Sequence, residues 1–160
     1  MKKLFNILFA LPLLLTVACS NDNDIPNVSL SIETSGCWKV DNDSRIYVVE
    51  GDTMMINGIY VQSLDGKKAA ITSATYYLNT IPYSEPFMAP YSTIIPSAYL
   101  KEGNNLLAAS MIIGVVDYPI QSALAEWTVT LVPTKEDLPD GAVYTPLPEE
   151  DSPSGPGPVE

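Results

Sequence analysis

The 160-residue chain contains no histidine and only two cysteines, Cys19 and Cys37. Without histidine there is no Ser-His-Asp triad, no Cys-His pair and none of the usual histidine-bearing zinc sites. Two thiols are too few for a cysteine-rich zinc or iron-sulfur centre, and no disulfide framework can be built from them. Basic residues are scarce too: 8 Lys and Arg face 19 Asp and Glu, for a formal net charge of −11. Such a chain repels phosphate backbones, so no nucleic-acid partner is expected. Also missing is an apolar run of the roughly 20 residues that a membrane-spanning helix needs. Carboxylate chemistry, calcium binding and recognition without chemistry are what these absences leave.

What is present begins at the front. Lys2 and Lys3 precede a mostly apolar run from Leu4 to Val17 and the small Ala18, the organisation of an export signal over residues 1–18. Thr16-Val17-Ala18-Cys19 resembles a bacterial lipobox, with Thr16 standing where that family usually has leucine. The resemblance implies cleavage before Cys19 and acylation of that residue, several acyl chains giving a stable anchor. Ordinary cleavage after Ala18, leaving a free thiol, is the alternative. The following Ser20-Asn21-Asp22-Asn23-Asp24 resembles the export signal of Bacteroidota surface lipoproteins, which implies the outer face of the outer membrane. Read by composition alone, the same stretch is a solvated tether.

Beyond the tether the pattern is β throughout. Val28, Leu30 and Ile32 alternate with polar residues, and Arg45–Glu50, Thr53–Gln62, Ala70–Asn79, Leu106–Val116 and Gln121–Val132 read as further strands. Cys37–Val40 can start a short one. Gly58 marks a bulge or a close approach, and Asp65-Gly66 the tip of a hairpin. On the strand from Ala70, the face of Thr72, Ala74, Tyr76 and Leu78 is the core candidate; Trp127 is placed inside. Four prolines between Ile81 and Tyr99 restrict strands there to short or edge positions. After Pro133 the chain turns acidic and proline-rich, and residues 135–160 are expected to be disordered. Seven or eight antiparallel strands at regular spacing predict an all-β sandwich over residues 27–134, behind a lipidated tether at 19–26.

The run Ala74-Thr75-Tyr76-Tyr77-Leu78-Asn79, then Ala89-Pro90-Tyr91-Ser92, then Tyr99 to Leu106 resembles bacterial immunoglobulin-like domains. The likeness covers residues 70–132 by motif and 27–69 by strand count. Asn104-Asn105 departs from the acidic or histidine residue usual at that turn, and the Cys-Trp-Cys arrangement of antibody domains is absent. The resemblance implies a fold and says nothing about a ligand.

Candidate site residues follow from chemistry and place. Asp41, Asp43, Glu50 and Asp52 bracket one strand with oxygen donors of the kind calcium takes. EF-hand spacing fails, because Ile46 and Asp52 stand where that loop needs Gly and Glu, and solvated turns are the preferred reading; no metal or cofactor is expected. Asp117, Glu126, Glu85 and Glu102 are too dispersed to suggest the paired acids of a glycosidase, so no enzyme activity is expected. Tyr83, Phe87 and Tyr91 lie among the prolines, on loops where recognition usually resides, and are the candidate ligand contacts. Glu85 and Ser84 could add hydrogen bonds. The expected function is a non-catalytic, outer-membrane surface lipoprotein that binds an extracellular glycan or protein. Its alternative is an accessory subunit of a glycan-uptake or fimbrial assembly.

Overall fold

The computed structural model describes residues 26–148, so the expected signal segment, Cys19 and residues 149–160 lie outside the described residues. Ten strands form: β1 (Val28–Ser35), β2 (Cys37–Lys39), β3 (Ile46–Val49), β4 (Thr53–Ser63), β5 (Ala69–Leu78), β6 (Ile81–Ser84), β7 (Thr93–Pro96), β8 (Gly103–Val115), β9 (Gln121–Val132) and β10 (Val143–Thr145). They make a three-stranded sheet, β1-β4-β7, and a seven-stranded sheet, β10-β2-β3-β9-β8-β5-β6. The inner faces pack on Val48, Met54, Ile56, Tyr76, Ile95, Leu107, Met111, Ile113 and Val129. This is an all-β, immunoglobulin-like sandwich. The described cysteine is a free thiol, so the domain relies on burial, worth about 1.5–3 kcal/mol for each large apolar side chain.

Strand by strand, the alternation sets the faces. Ala74, Tyr76 and Leu78 are buried as expected, but Thr72 is exposed. The β5–β8 register shifts between Ile71 and Ser73, and one extra residue turns a side chain to the other face. Leu106–Val116, apolar on both faces, is the central β8, flanked by β5 and β9. β6 and β7 lie at sheet edges, where Pro82 and Pro96 remove no central ladder bond. Trp127 is half-buried against the core.

Four expectations need correction. Among the described residues, nine strands rather than seven or eight lie within 27–134, with a tenth beyond, and β3 runs parallel to β9, from Ile46 beside Val129 to Val49 beside Val132. Asp65-Gly66 is a turn, with Gly66 at φ +73, but it joins strands of different sheets rather than a hairpin. The residues after Pro133 are ordered as far as 148: Lys135–Asp137 form a 3-10 turn capped by Thr134 and Asp137, and β10 pairs with β2.

The physical reason for the ordered tail lies in β3. All four of its residues are buried, so it is apolar on both faces. Ile46 and Val48 enter the main core, while Tyr47 and Val49 join Val132 in a second cluster on the outer face of the sheet. Leu138 and Trp38 cover that cluster. Tyr144 packs on Trp38 at 5.0 Å between ring centroids, and the Gly36 N–H donates to Thr145 O at 2.7 Å. A Cβ at Gly36 would collide with Thr53 O and crowd Leu147, so glycine is needed where the strap crosses.

Candidate functional site

The segment 85–92 between β6 and β7 carries two of the three expected contact residues, and Tyr83 lies just before it on β6. Pro86 and Pro90 keep it out of either ladder. The Ala89–Pro90 peptide bond is cis. The Tyr91 N–H donates to Met88 O at 2.8 Å, closing a turn. The Ile59 N–H donates to Pro90 O at 3.0 Å, which fastens the loop to β4. At Gly58 a Cβ would sit 2.7 Å from Tyr60 Oη and 2.9 Å from Pro90 Cβ, so the expected close approach is made by the Tyr60 side chain and this loop together. A register shift also falls beside it, between Glu33 and Thr34 on β1.

Tyr91 is not an exposed contact. It is 6% exposed, its Oη donates to Ile71 O and its carbonyl accepts from Tyr76 Oη, each at 2.8 Å. Tyr76 is fully buried, and burial pushes its hydroxyl well above the ordinary value, so it stays a neutral donor. The two tyrosines are therefore posts that hold the loop against β5. Tyr83 is half-buried; its Oη donates to Ile94 O at 2.6 Å and its ring meets Tyr99 edge-on at 5.6 Å. That bond ties the edge of one sheet to the edge of the other.

Phe87 alone of the three is free, at 95% exposure. Beside it Met88 is 78% exposed, and Ile94 and Tyr99 at the Tyr83 bridge are exposed as well. Sequence reasoning missed Met88 and Ile94, and it counted Tyr99 among the aromatics of this proline-rich stretch without favouring it. Adjacency to Phe87 was a usable signal for Met88; nothing local marks Ile94, whose place at the site depends on the sheet-to-sheet bridge. Ser84 ends β6 and Glu85 opens the segment that follows it.

The acidic candidates are not gathered. Among the described residues no three side chains of metal-ligating type come together. Asp43 is engaged locally: Oδ2 accepts from Tyr47 Oη at 2.6 Å and Oδ1 from the Arg45 N–H at 3.0 Å. Those bonds, the tyrosine's first, hold its carboxyl below the usual carboxylate range. Asp41, Glu50 and Asp52 join no shared cluster with it. Glu50 and Glu102 do line one open recess, with Leu100, Leu131 and Pro133. Cys37 is fully buried, its thiol donates to Thr34 Oγ1 at 3.3 Å, and burial raises its pKa, which suits packing rather than nucleophilic attack.

No family model and no curated protein matches the sequence. Among solved structures, the chain is similar to one from the structures of Clostridium thermocellum CbhA fibronectin(III)-like modules, at 12% identity and a TM-score of 0.40. The match covers 67% of this chain and 47% of that one, so this chain spans about half the length of the structure it matches.

Proposed function

We propose that this protein is a non-catalytic lipoprotein of the outer-membrane surface, anchored through Cys19, whose immunoglobulin-like domain binds an extracellular partner through the loop between β6 and β7. The observation that carries the reading is Phe87 and Met88 held out in solvent on a loop whose own backbone is bonded to β4 and β5. A loop ordered in advance loses little entropy on binding, and exposed aromatic and thioether groups supply apolar contact. Of the two ligand classes, protein fits better than glycan. Sugar stacking wants flat rings bordered by free hydrogen-bonding groups, whereas the Tyr83 and Tyr91 hydroxyls already donate to backbone carbonyls.

The test is a binding screen of the intact protein against extracellular glycans and proteins, repeated with a Phe87→Ala/Met88→Ala double variant. Saturable binding that falls about tenfold or more in the variant is the expected result. Equal binding by both proteins refutes the loop as the site. A second reading, an accessory subunit of a larger assembly, draws on the edge strands β1 and β6, which could pair with another chain. Binding to no soluble ligand, with co-purification in a membrane complex, would favour it.

A further inference from the structure

We infer that the end of the sandwich where the tether enters is a lipid-facing surface, seated on the bilayer that the Cys19 anchor enters. The inference rests on the anchor reading above. The β1 strand starts at Val28, and Asn27 O accepts from the Leu64 N–H at 2.8 Å, so the chain joins the domain beside the β4–β5 turn. The β8–β9 turn closes on the same end: the Val116 N–H donates to Lys68 O, and Tyr118 Oη donates to Asp65 at 3.4 Å.

Three large aliphatic residues stand out from these turns, Leu64, Val116 and Ile120, the last 72% exposed. Between the turns lies an open depression lined by Ala69, Ala70, Val115, Val116, Tyr118 and Ile120. No set of polar groups converges there, as a small-molecule site requires. Lys67 and Lys68 flank it; Lys67 pairs with Asp117 at 3.3 Å and lies 4.5 Å from the Tyr118 ring centre. Lys68 is exposed and makes no ion pair among the described residues. The charges at this end are Lys67, Lys68, Asp65 and Asp117, so it is balanced within a domain whose described acids outnumber its bases about two to one. Aliphatic tips, a tyrosine and lysines are the residues that settle at a membrane interface, apolar groups in the acyl boundary and ammonium groups at the phosphates.

Reach decides the occupant. Six residues lie between Cys19 and Pro26, and the seven Cα steps span at most about 25 Å when fully extended. The 11-residue β4 is about 36 Å long. This end therefore stays within reach of the bilayer in every orientation, while the far end stands clear whenever the strands point outward. With Asp22 and Asp24 in the tether, the attraction is carried by apolar insertion rather than by net charge.

The experiment uses the full-length acylated protein, reconstituted in vesicles of phosphatidylethanolamine and phosphatidylglycerol with a bromine-labelled lipid that quenches tryptophan. Ile120→Trp reports this end, and Ile81→Trp, at an exposed position on the β6 edge, is the control, each read as the difference from the parent's Trp38 and Trp127 emission. Ile120→Trp is expected to be quenched about twofold or more above the control, as for a group about 5–10 Å into the boundary. Adding Leu64→Asp should bring it to the control level. Equal quenching at both positions, with the mass of the Cys19 peptide showing acyl chains, overturns this inference and leaves the anchor standing. An unmodified Cys19 peptide overturns the anchor reading and this inference with it.

Discussion

Asn105 shows how one side chain can organise a turn that its neighbour merely occupies. Its amide is 2% exposed, donates to Lys101 O and Gly103 O, and accepts from the Lys101 N–H and from Asn79 Nδ2. All of its hydrogen-bonding capacity is used to fold the chain into the start of β8. Asn105→Ala takes the partner from the Lys101 N–H, the Lys101 and Gly103 carbonyls and the Asn79 amide, and leaves a void where a fully buried amide stood, so it should cost about 2–4 kcal/mol. Asn104 is exposed and meets only Thr130 Oγ1, at 2.9 Å. Asn104→Ala should therefore stay within about 0.5 kcal/mol of the parent. Urea titration of the two variants checks the pair, and equal losses would show that the turn does not depend on the buried amide. The asymmetry separates two adjacent amides that the sequence alone leaves alike: one both donates and accepts inside the turn, the other faces solvent.

At the scale of elements, the strap after β9 is the informative one. β10 has three residues and pairs only with the three-residue β2, too few ladder bonds to hold it alone. Its place depends on side chains: Tyr144 against Trp38, Leu138 over Tyr47 and Val49, and Leu147 beside Gly36. A chain ending at Pro139 should keep the sandwich and lose about 1–3 kcal/mol, from the aromatic contact and the uncovered apolar area. Its Trp38 emission should shift to the red as water reaches the ring. An unchanged emission maximum and thermal midpoint would mean that the strap rests on the sheet without stabilising it.

For the whole molecule, the charge balance sets the response to salt. With a net charge of −11, repulsion among carboxylates opposes the compact state. Lys67 with Asp117 is the one ion pair among the described residues, and it is partly exposed, so salt has little attraction to screen there. Raising the salt from about 0.01 M to about 0.2 M shortens the Debye length from about 30 Å to under about 8 Å. The thermal midpoint should rise by a few degrees over that range. A fall on adding salt would mean that attractive pairs outweigh the repulsion. The same balance bears on orientation, since the least acidic end is the one beside the tether.

Much of this architecture is legible in the residues themselves. Alternation at Val28, Leu30 and Ile32, the apolar run of β8 and the glycine and proline punctuation placed most of the strands, because strand faces and turns are local properties of the chain. The prolines around β6 and β7 placed these at edges for the same reason. What no local pattern could decide is which strands become neighbours. The parallel seat of β3 beside β9, the joining of different sheets at Asp65-Gly66, and the inward turn of Tyr91 all depend on pairings between residues far apart in sequence. The folded strap at 135–148 is the sharpest case: its composition reads as disorder, and it is ordered because β3 presents an apolar face that has to be covered. Ile46 to Val49, four apolar residues in a row, carried the sign that both faces would be buried, but only the assembled sheet determined that the tail supplies the cover.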